Sequence, residues 1–458
     1  MQNQSVYSRA LKLALPIMIQ NGITNAVGLV DHIMVGSLGT EAMTAVSIVC
    51  QLLFVFYLAI FGGLSGPGIY AAQFHGKGNV EGVRQSFRMK VLIAGACTAA
   101  GILILFYARN QLVGLYLHGD STEVDPVRTT AYAMQYLLIM LFGLPANSLT
   151  QVYAGTLRET GDSFKPMIAG IISVLTDVIL NYLLIYGKFG FPQLGVRGAA
   201  LATVISRLTE VTVLLIWAHR RSASHPFLNK IWKSLHVPYE IRHAMLKKSI
   251  PIFCNEFLWA GGLAALTQCY STRGLHIVSG LNISNAICNL LNVVFVALGN
   301  AVGILIGQTL GAGRFEQAKH DSAVLTRFTG AVCLILTAIL IAVSGAFPLL
   351  YDTTETVRHS ATQFIIATAV FFPVQGVLNG LYFTLRSGGK TLVTFLFDSV
   401  FSWLVTVPLA LVLCFCTTLP ILTVYLLVQS ADLLKIAIGV ILIRKGIWIS
   451  DLASGTSS

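Results

Sequence analysis

An aspartate stands inside an otherwise apolar run near the start of the chain, Asn25-Ala-Val-Gly-Leu-Val-Asp31-His32-Ile-Met-Val-Gly36-Ser-Leu-Gly39. A charged side chain at mid-membrane costs roughly 2.5–3.5 kcal/mol on insertion scales, so an acid in such a run faces a partner, a water-filled cavity or a transport path. Asn21, Thr24, Asn25, Gly28, Asp31 and His32 are spaced so that a 3.6-residue period gathers them on one side of a helix. A second apolar stretch carries Asp177 and Asn181, four residues apart and hence on one face. Neither Asp31 nor Asp177 has a local base, and such an isolated buried acid suits the binding of a proton or a monovalent cation. Glu256, between Asn255 and Trp259, offers a charge and an aromatic face together, which suits an organic cation. The other intramembrane acids read differently. Glu210 follows Arg207 by three residues and Asp432 precedes Lys435 by three, so each is expected to pair along its own helix. Asp398, followed by Trp403 and Pro408, reads as a cleft residue or an interfacial anchor.

The elements that position these residues follow from composition. Of 458 residues, 55% are hydrophobic and 11% charged, against about 25% charged in an ordinary soluble protein. Apolar stretches recur around 13–35, 43–74, 87–108, 130–156, 164–187, 198–218, 249–271, 280–310, 323–346, 359–385, 392–415 and 419–443, each about 20 residues or longer, as a membrane span requires. Twelve helices are expected. The net charge of +11 would suggest nucleic acid in a soluble protein, but the placement of Lys and Arg explains it here. With both termini inside, 22 of the 30 fall in inside segments and 6 outside (Arg109, Arg128, Lys188, Arg197, Arg273, Arg358), with Arg207 and Lys435 within helices. That bias puts both termini in the cytoplasm. The eight cysteines have no metal-ligand spacing and read as small core residues.

Comparing the chain with itself reveals a repeat. Pro16 matches Pro251, and at the same offset of 235 the motif Gln73-x-x-Gly76-x-Gly78 matches Gln308-x-x-Gly311-x-Gly313. At an offset of 228, Pro145 and Thr156-Leu157-Arg158-x-x-Gly161 match Pro373 and Thr384-Leu385-Arg386-x-x-Gly389. The expected fold is therefore an all-α polytopic membrane protein of two six-helix lobes, related by a pseudo-two-fold axis along the membrane normal because six is even. The lobes are residues 1–222 and 249–458, joined by a cytoplasmic linker at 223–248. Arg158 and Arg386 are expected in loops, capping helix ends.

Taken together, Leu-Pro near the start of helix 1, Val-Asp-His-Ile-Met-Val-Gly-x-Leu-Gly at its end, Ala-Gln-x-x-Gly-x-Gly after helix 2, Gly-Thr-Leu-Arg-x-Thr-Gly-Asp after helix 4 and Leu-Gly-Val-Arg-Gly-Ala-Ala before helix 6 resemble the multidrug and toxic compound extrusion (MATE) transporters of bacterial type. The resemblance covers essentially the whole chain. It implies an exporter that exchanges cationic or amphipathic drugs for H⁺ or Na⁺ by alternating access across the bacterial inner membrane. It also implies a coupling-cation site, with Na⁺ as one candidate occupant, at Asp31 and the helix 5 pair Asp177 and Asn181, with Asn25 beside them. The helix 5 pair stands in the order Asp then Asn, reversed from some members. Substrate contacts are expected from Glu256 and Trp259, and from Gln375 and Asn379 on helix 10, where some relatives carry an aspartate for a second cation site.

No G-x-x-x-x-G-K-[ST] phosphate loop and no catalytic triad occurs in the sequence. The chain is thus expected to be no enzyme, to use no cofactor or nucleotide, to bind no nucleic acid, and to work as a monomer in lipid. A flippase for lipid-linked saccharides, from the same superfamily, and a channel are the alternatives. A flippase would call for a strongly basic cleft, whereas the within-helix charges here are mostly acidic.

Overall fold

The computed structural model describes residues 5–117, 125–220, 225–229, 231–351 and 353–454. Residues 223, 224 and 230 of the expected linker lie outside the described residues. In lipid every backbone N–H and C=O must be satisfied within its own segment, and the apolar runs answer with helices. Twelve of those described are long and apolar enough to cross a membrane. They are α1 (Val6–Gly36), α2 (Thr40–Lys77), α3 (Val80–Tyr107), α4 (Pro126–Glu159), α5 (Phe164–Tyr186), α6 (Val196–Arg220), α7 (Tyr239–Ser271), α8 (Leu275–Gly311), α9 (Phe315–Val343), α10 (Glu355–Ser387), α11 (Thr391–Cys416) and α12 (Ile421–Arg444). A short helix, Arg109–Gly114, follows α3. Asp125 starts α4 by accepting the Val127 N–H at 2.9 Å, with Pro126 in the first turn.

The chain forms two compact units. One holds Ile19–Ala71 and Val80–Met245; the other holds Met1–Met18, Ala72–Asn79 and Leu246–Ser458. We call them the first-half and second-half units. In the first, α3 packs on α4, α4 on α6 and α5 on α6; in the second, α9 packs on α10, α10 on α12 and α11 on α12. These three pairings recur between the units, and in the second α8 also packs on α9 and α10.

The repeated Gln-x-x-Gly-x-Gly motif ends α2 and α8, and both copies belong to the second-half unit. A Cβ on Gly76 would stand 1.9 Å from the Gln308 carbonyl oxygen, and one on Gly311 would stand 1.9 Å from that of Gln73. The two copies therefore cross backbone to backbone. The final glycines, Gly78 and Gly313, have φ of +76° and +71°, and the next residue's N–H closes each helix by bonding Phe74 O at 2.9 Å and Thr309 O at 3.1 Å. Buried Gln73 donates its amide to the Ser387 and Ser450 carbonyls at 3.0 and 3.3 Å and accepts the Leu452 N–H at 2.7 Å. The motif thereby fixes the segment after α12, whose Trp448 is fully buried.

Arg158 and Arg386 lie in the last helical turns of α4 and α10 rather than in loops, because the glycines that stop these helices come after them. Arg158 donates to Gln20 Oε1 at 2.7 Å. Arg386 is buried, with its guanidinium 5.3 Å from the Phe383 ring centroid.

Between α4 and α5, Asp162 Oδ2 stands 2.6 Å from Lys165 Nζ and 3.4 Å from His225 Nε2. Burial pushes the Asp162 carboxyl up, but hydrogen bonds from His225 and Lys165 outweigh it and hold the group well below the usual carboxylate range.

Two outcomes are expected. Gly76→Ala and Gly311→Ala should each abolish monodisperse folded protein, read by size-exclusion chromatography, because backbone atoms cannot yield 1 Å or more to a methyl group. Asp162→Asn should lower the thermal midpoint at neutral pH by the equivalent of about 1–3 kcal/mol. A depressed native pKa contributes stability above the unfolded value, so the gap between wild type and variant should be constant from about pH 5 to 8 and close below about pH 4. Thermal unfolding followed across pH checks the sign.

Candidate functional site

In the first-half unit the residues singled out by type and spacing converge. Asn181 Nδ2 on α5 donates to Asp31 Oδ1 on α1 at 2.8 Å. Asp177, one turn before Asn181, lines the same cavity as Asp31. They line a cavity of about 210 Å³ together with Thr24, Gly28 and His32 of α1, while Tyr57 and Tyr136 add aromatic wall. Asp177 Oδ1 and Asn181 Oδ1 are buried and have no hydrogen-bond partner. Such oxygens cost free energy unless something donates to them or coordinates them. Arg207 also lines the cavity but gives its guanidinium to Glu210, 3.3 Å away on its own helix, as the sequence spacing implies.

The face predicted for α1 is therefore present in part. Thr24, Gly28, Asp31 and His32 point to the cavity, whereas Asn25 is exposed and stands outside its lining, as does Asn21. A helix turns 100° per residue, and Asn25 falls at the edge of the arc whose centre is Gly28 and Asp31. The cavity volume decides its use: drug-sized ligands occupy roughly 300–1,000 Å³, so this space fits an ion with its water and is too small for such a compound. Among the described residues no group of three or more His, Cys, Asp or Glu side chains could hold a metal ion. A monovalent cation or a proton is the chemistry that two carboxylates and an amide serve.

The second-half unit corrects one expectation outright. Lys435 does not pair with Asp432; its Nζ lies 2.6 Å from Asp398 Oδ1 on α11. Lys435 is 8% exposed, so its ammonium must find its carboxylate within the unit, and Asp398 is the one it meets. Asn255 Nδ2 donates to Asp398 Oδ2 at 3.1 Å and to Tyr382 OH at 3.3 Å, and Ser399 Oγ stands 2.7 Å from Asn255 Oδ1. Asp398 sits in the first of two successive π-turns, Leu396–Val400 and Ser402–Thr406, just ahead of Pro408, whose missing N–H and bulky ring disfavour a regular turn before it.

The proposed substrate residues are scattered by comparison. Glu256, next to Asn255, is half-buried and makes no salt bridge among the described residues; Trp259 is exposed and Gln375 half-buried. Asn379 donates to the Phe295 carbonyl at 2.9 Å and so braces α10 against α8, with its Oδ1 buried and unpartnered. Sequence reasoning missed Asp398 as the centre of a network, Lys435 and Asn255 as its partners and Tyr382 as the further partner of Asn255. One signal was available: Lys435 stands 228 residues after Arg207, the offset of the second repeat match.

With helices and site described, the comparisons agree on a class. The MatE family model matches residues 16–183 and 251–441, and the chain belongs to that family of membrane transporters. It is 27% identical over 427 residues to a Bacillus subtilis (strain 168) protein named probable multidrug resistance protein YoeA, covering 92% of this chain and 90% of that one. A Thermotoga maritima protein named probable multidrug resistance protein NorM is 24% identical over 411 residues, covering 88% and 84%. Among solved structures, an outward-facing multidrug resistance MATE transporter of the MOP superfamily superposes with a TM-score of 0.85 at 18% identity, covering 97% of this chain and 96% of that one. The Vibrio cholerae MATE transporter VcmN in its bent form gives 0.83 at 16%, covering 97% and 99%. These likenesses establish the fold.

Proposed function

We propose that the chain is a secondary-active efflux transporter that exchanges cationic or amphipathic organic compounds for H⁺ or Na⁺ by alternating access, with both termini cytoplasmic in a bacterial inner membrane. The carrying observation is the Asp31–Asn181 hydrogen bond with Asp177 facing it and two buried acceptor oxygens left over. Two neighbouring carboxylates in a low-dielectric setting repel unless a proton or cation lies between them. The load is therefore exchangeable, and the state of the unit depends on it. Ion and drug need only favour different states of the transporter for the two fluxes to be coupled. The names of the relatives support a range of organic compounds as cargo.

Dye efflux from proteoliposomes under an imposed pH gradient, and separately under an imposed Na⁺ gradient, tests the reading. Asp31→Asn should express and fold like wild type while losing gradient-driven efflux at least tenfold. Undiminished efflux by Asp31→Asn across about pH 6 to 8 removes Asp31 from the mechanism. Glu256 is assigned to the cargo rather than the ion: a half-buried carboxylate without a salt bridge can serve as counter-ion to an organic cation. Glu256→Gln should raise the KM for cationic dyes several-fold and leave that for neutral dyes within twofold; equal losses for both place Glu256 in the coupling machinery instead.

A further inference from the structure

We infer that Lys435 is a tethered counter-ion: the second half carries, as a side chain, the cation that the first half takes from solution. The inference rests on the reading of Asp31 and Asp177 as the exchangeable site. In the first-half unit Arg207, which lines the acids' cavity, is engaged by Glu210 on its own helix, and Asp31 accepts from the Asn181 amide. In the second-half unit the base at the same repeat offset, Lys435, leaves its helical neighbour Asp432 and closes on Asp398 at 2.6 Å. Asn255 supplies Asp398's other oxygen, so both carboxylate oxygens have donors and neither is left over. Asp177 Oδ1 in the first half has none.

The repeat offsets make the contrast sharper. The positions corresponding to Asp31, Asp177 and Asn181 in the second half are Leu266, Val405 and Leu409, and Leu266 and Leu409 pack on an apolar cluster around Cys269 and Tyr425. The slot of the first half's ion site is filled with hydrocarbon. On α11 the acid is instead Asp398, and the base it meets, Lys435, is covalently part of the chain. The other charged groups within electrostatic reach of this cluster are Glu256 on α7, Arg386 on α10 and Asp432 on α12, with the Tyr382 hydroxyl beside Asn255.

If Lys435 stands in for an ion, deleting its charge must create a need for one. The experiment follows the thermal midpoint of the purified full chain in NaCl against choline chloride at equal ionic strength, and at about pH 6 against about pH 8. The background is Asp31→Asn/Asp177→Asn, so that the first-half site does not contribute. With Lys435 intact, this background should respond to neither change. Lys435→Met should gain a rise of about 2–4 °C in Na⁺, or on acidification, the two arms telling a sodium ion from a proton. Adding Asp398→Asn should remove the gain, and Lys435→Arg should never show it. Lys435→Gln, which keeps a donor for Asp398, is the second variant where Lys435→Met yields little protein, and recovery of either variant only in Na⁺ or at low pH counts as the gain. Folded Lys435→Met or Lys435→Gln without a response overturns the proposal. So does failure of both in every buffer with rescue only by Asp398→Asn, and so does a Na⁺ response of the Lys435-intact background that Asp398→Asn removes. A wild type that responds no differently from Asp31→Asn/Asp177→Asn contradicts the first-half assignment instead, and leaves the Lys435 comparison readable.

Discussion

The membrane interior imposes one demand on every ionisable group placed in it: the charge must be met by a partner, because no bulk water is there to meet it. Much of the interior of this transporter can be read as answers to that demand. Lys90 on α3 is 1% exposed and donates to Thr156 and Glu159 on α4. Arg9 reaches Asp321 at 3.2 Å, Arg207 takes Glu210 and Lys435 takes Asp398. Each of these pairs joins two side chains of the chain itself, and for the most buried of them, Lys90 with Glu159, removing one member would strand the other at a cost of roughly 3–5 kcal/mol. Asp31 and Asp177 stand apart from the set. They share a cavity with an amide and, among the described residues, form no salt bridge, and the proposed function assigns their charge to a proton or cation from outside.

The second-half unit draws rigidity from another source, its two glycine motifs. A backbone crossing such as Gly76 on Gln308 and Gly311 on Gln73 admits no side chain between the helices, so its separation is set by covalent dimensions rather than by deformable packing. Gln73 extends the constraint to the segment beyond α12 through Ser450 and Leu452. The ends of α2 and α8 and the last described residues thus form one braced element.

How much of this was legible in the sequence depends on the range of the interaction. Periodicity and repeat offsets gave the twelve helices and the face of α1 that carries Asp31, because both are local or translational properties. The convergence of Asp31 with Asp177 and Asn181 was legible only through the family resemblance, since nothing in 150 residues of intervening chain specifies contact. The Asp432–Lys435 expectation failed for a physical reason: a three-residue spacing permits a pair, but a long lysine side chain chooses among all acids in reach, and Asp398 on another helix is invisible to spacing. Asn25 lies at the edge of a helical arc, exposed and outside the cavity lining, where a small rotation separates cavity from surface. The arginines at the ends of α4 and α10 were misplaced by one turn because a glycine marks where a helix stops only once its φ is known.

The two halves show how one scaffold can carry unequal chemistry. At the repeat offsets, Asn255 corresponds to Gln20, Asp398 to Gly170 and Lys435 to Arg207. In the first half a Cβ on Gly170 would stand 2.5 Å from Gln20 Nε2, so the longer amide fills the space that an α5 side chain would need, and Gln20 accepts from Arg158 instead. In the second half the amide is one methylene shorter, and the corresponding helix carries a carboxylate that Asn255 and Lys435 hold between them. Shortening Gln to Asn and replacing Gly with Asp are complementary changes: the first opens the volume that the second occupies, and the base on the last helix then has an acid to meet. With that acid paired internally and the deeper acid positions given over to Leu266, Val405 and Leu409, the proposed link to an external cation rests on the first half alone. A transporter built as a repeat can in this way confine its ion dependence to one copy while the other copy is free to serve the cargo.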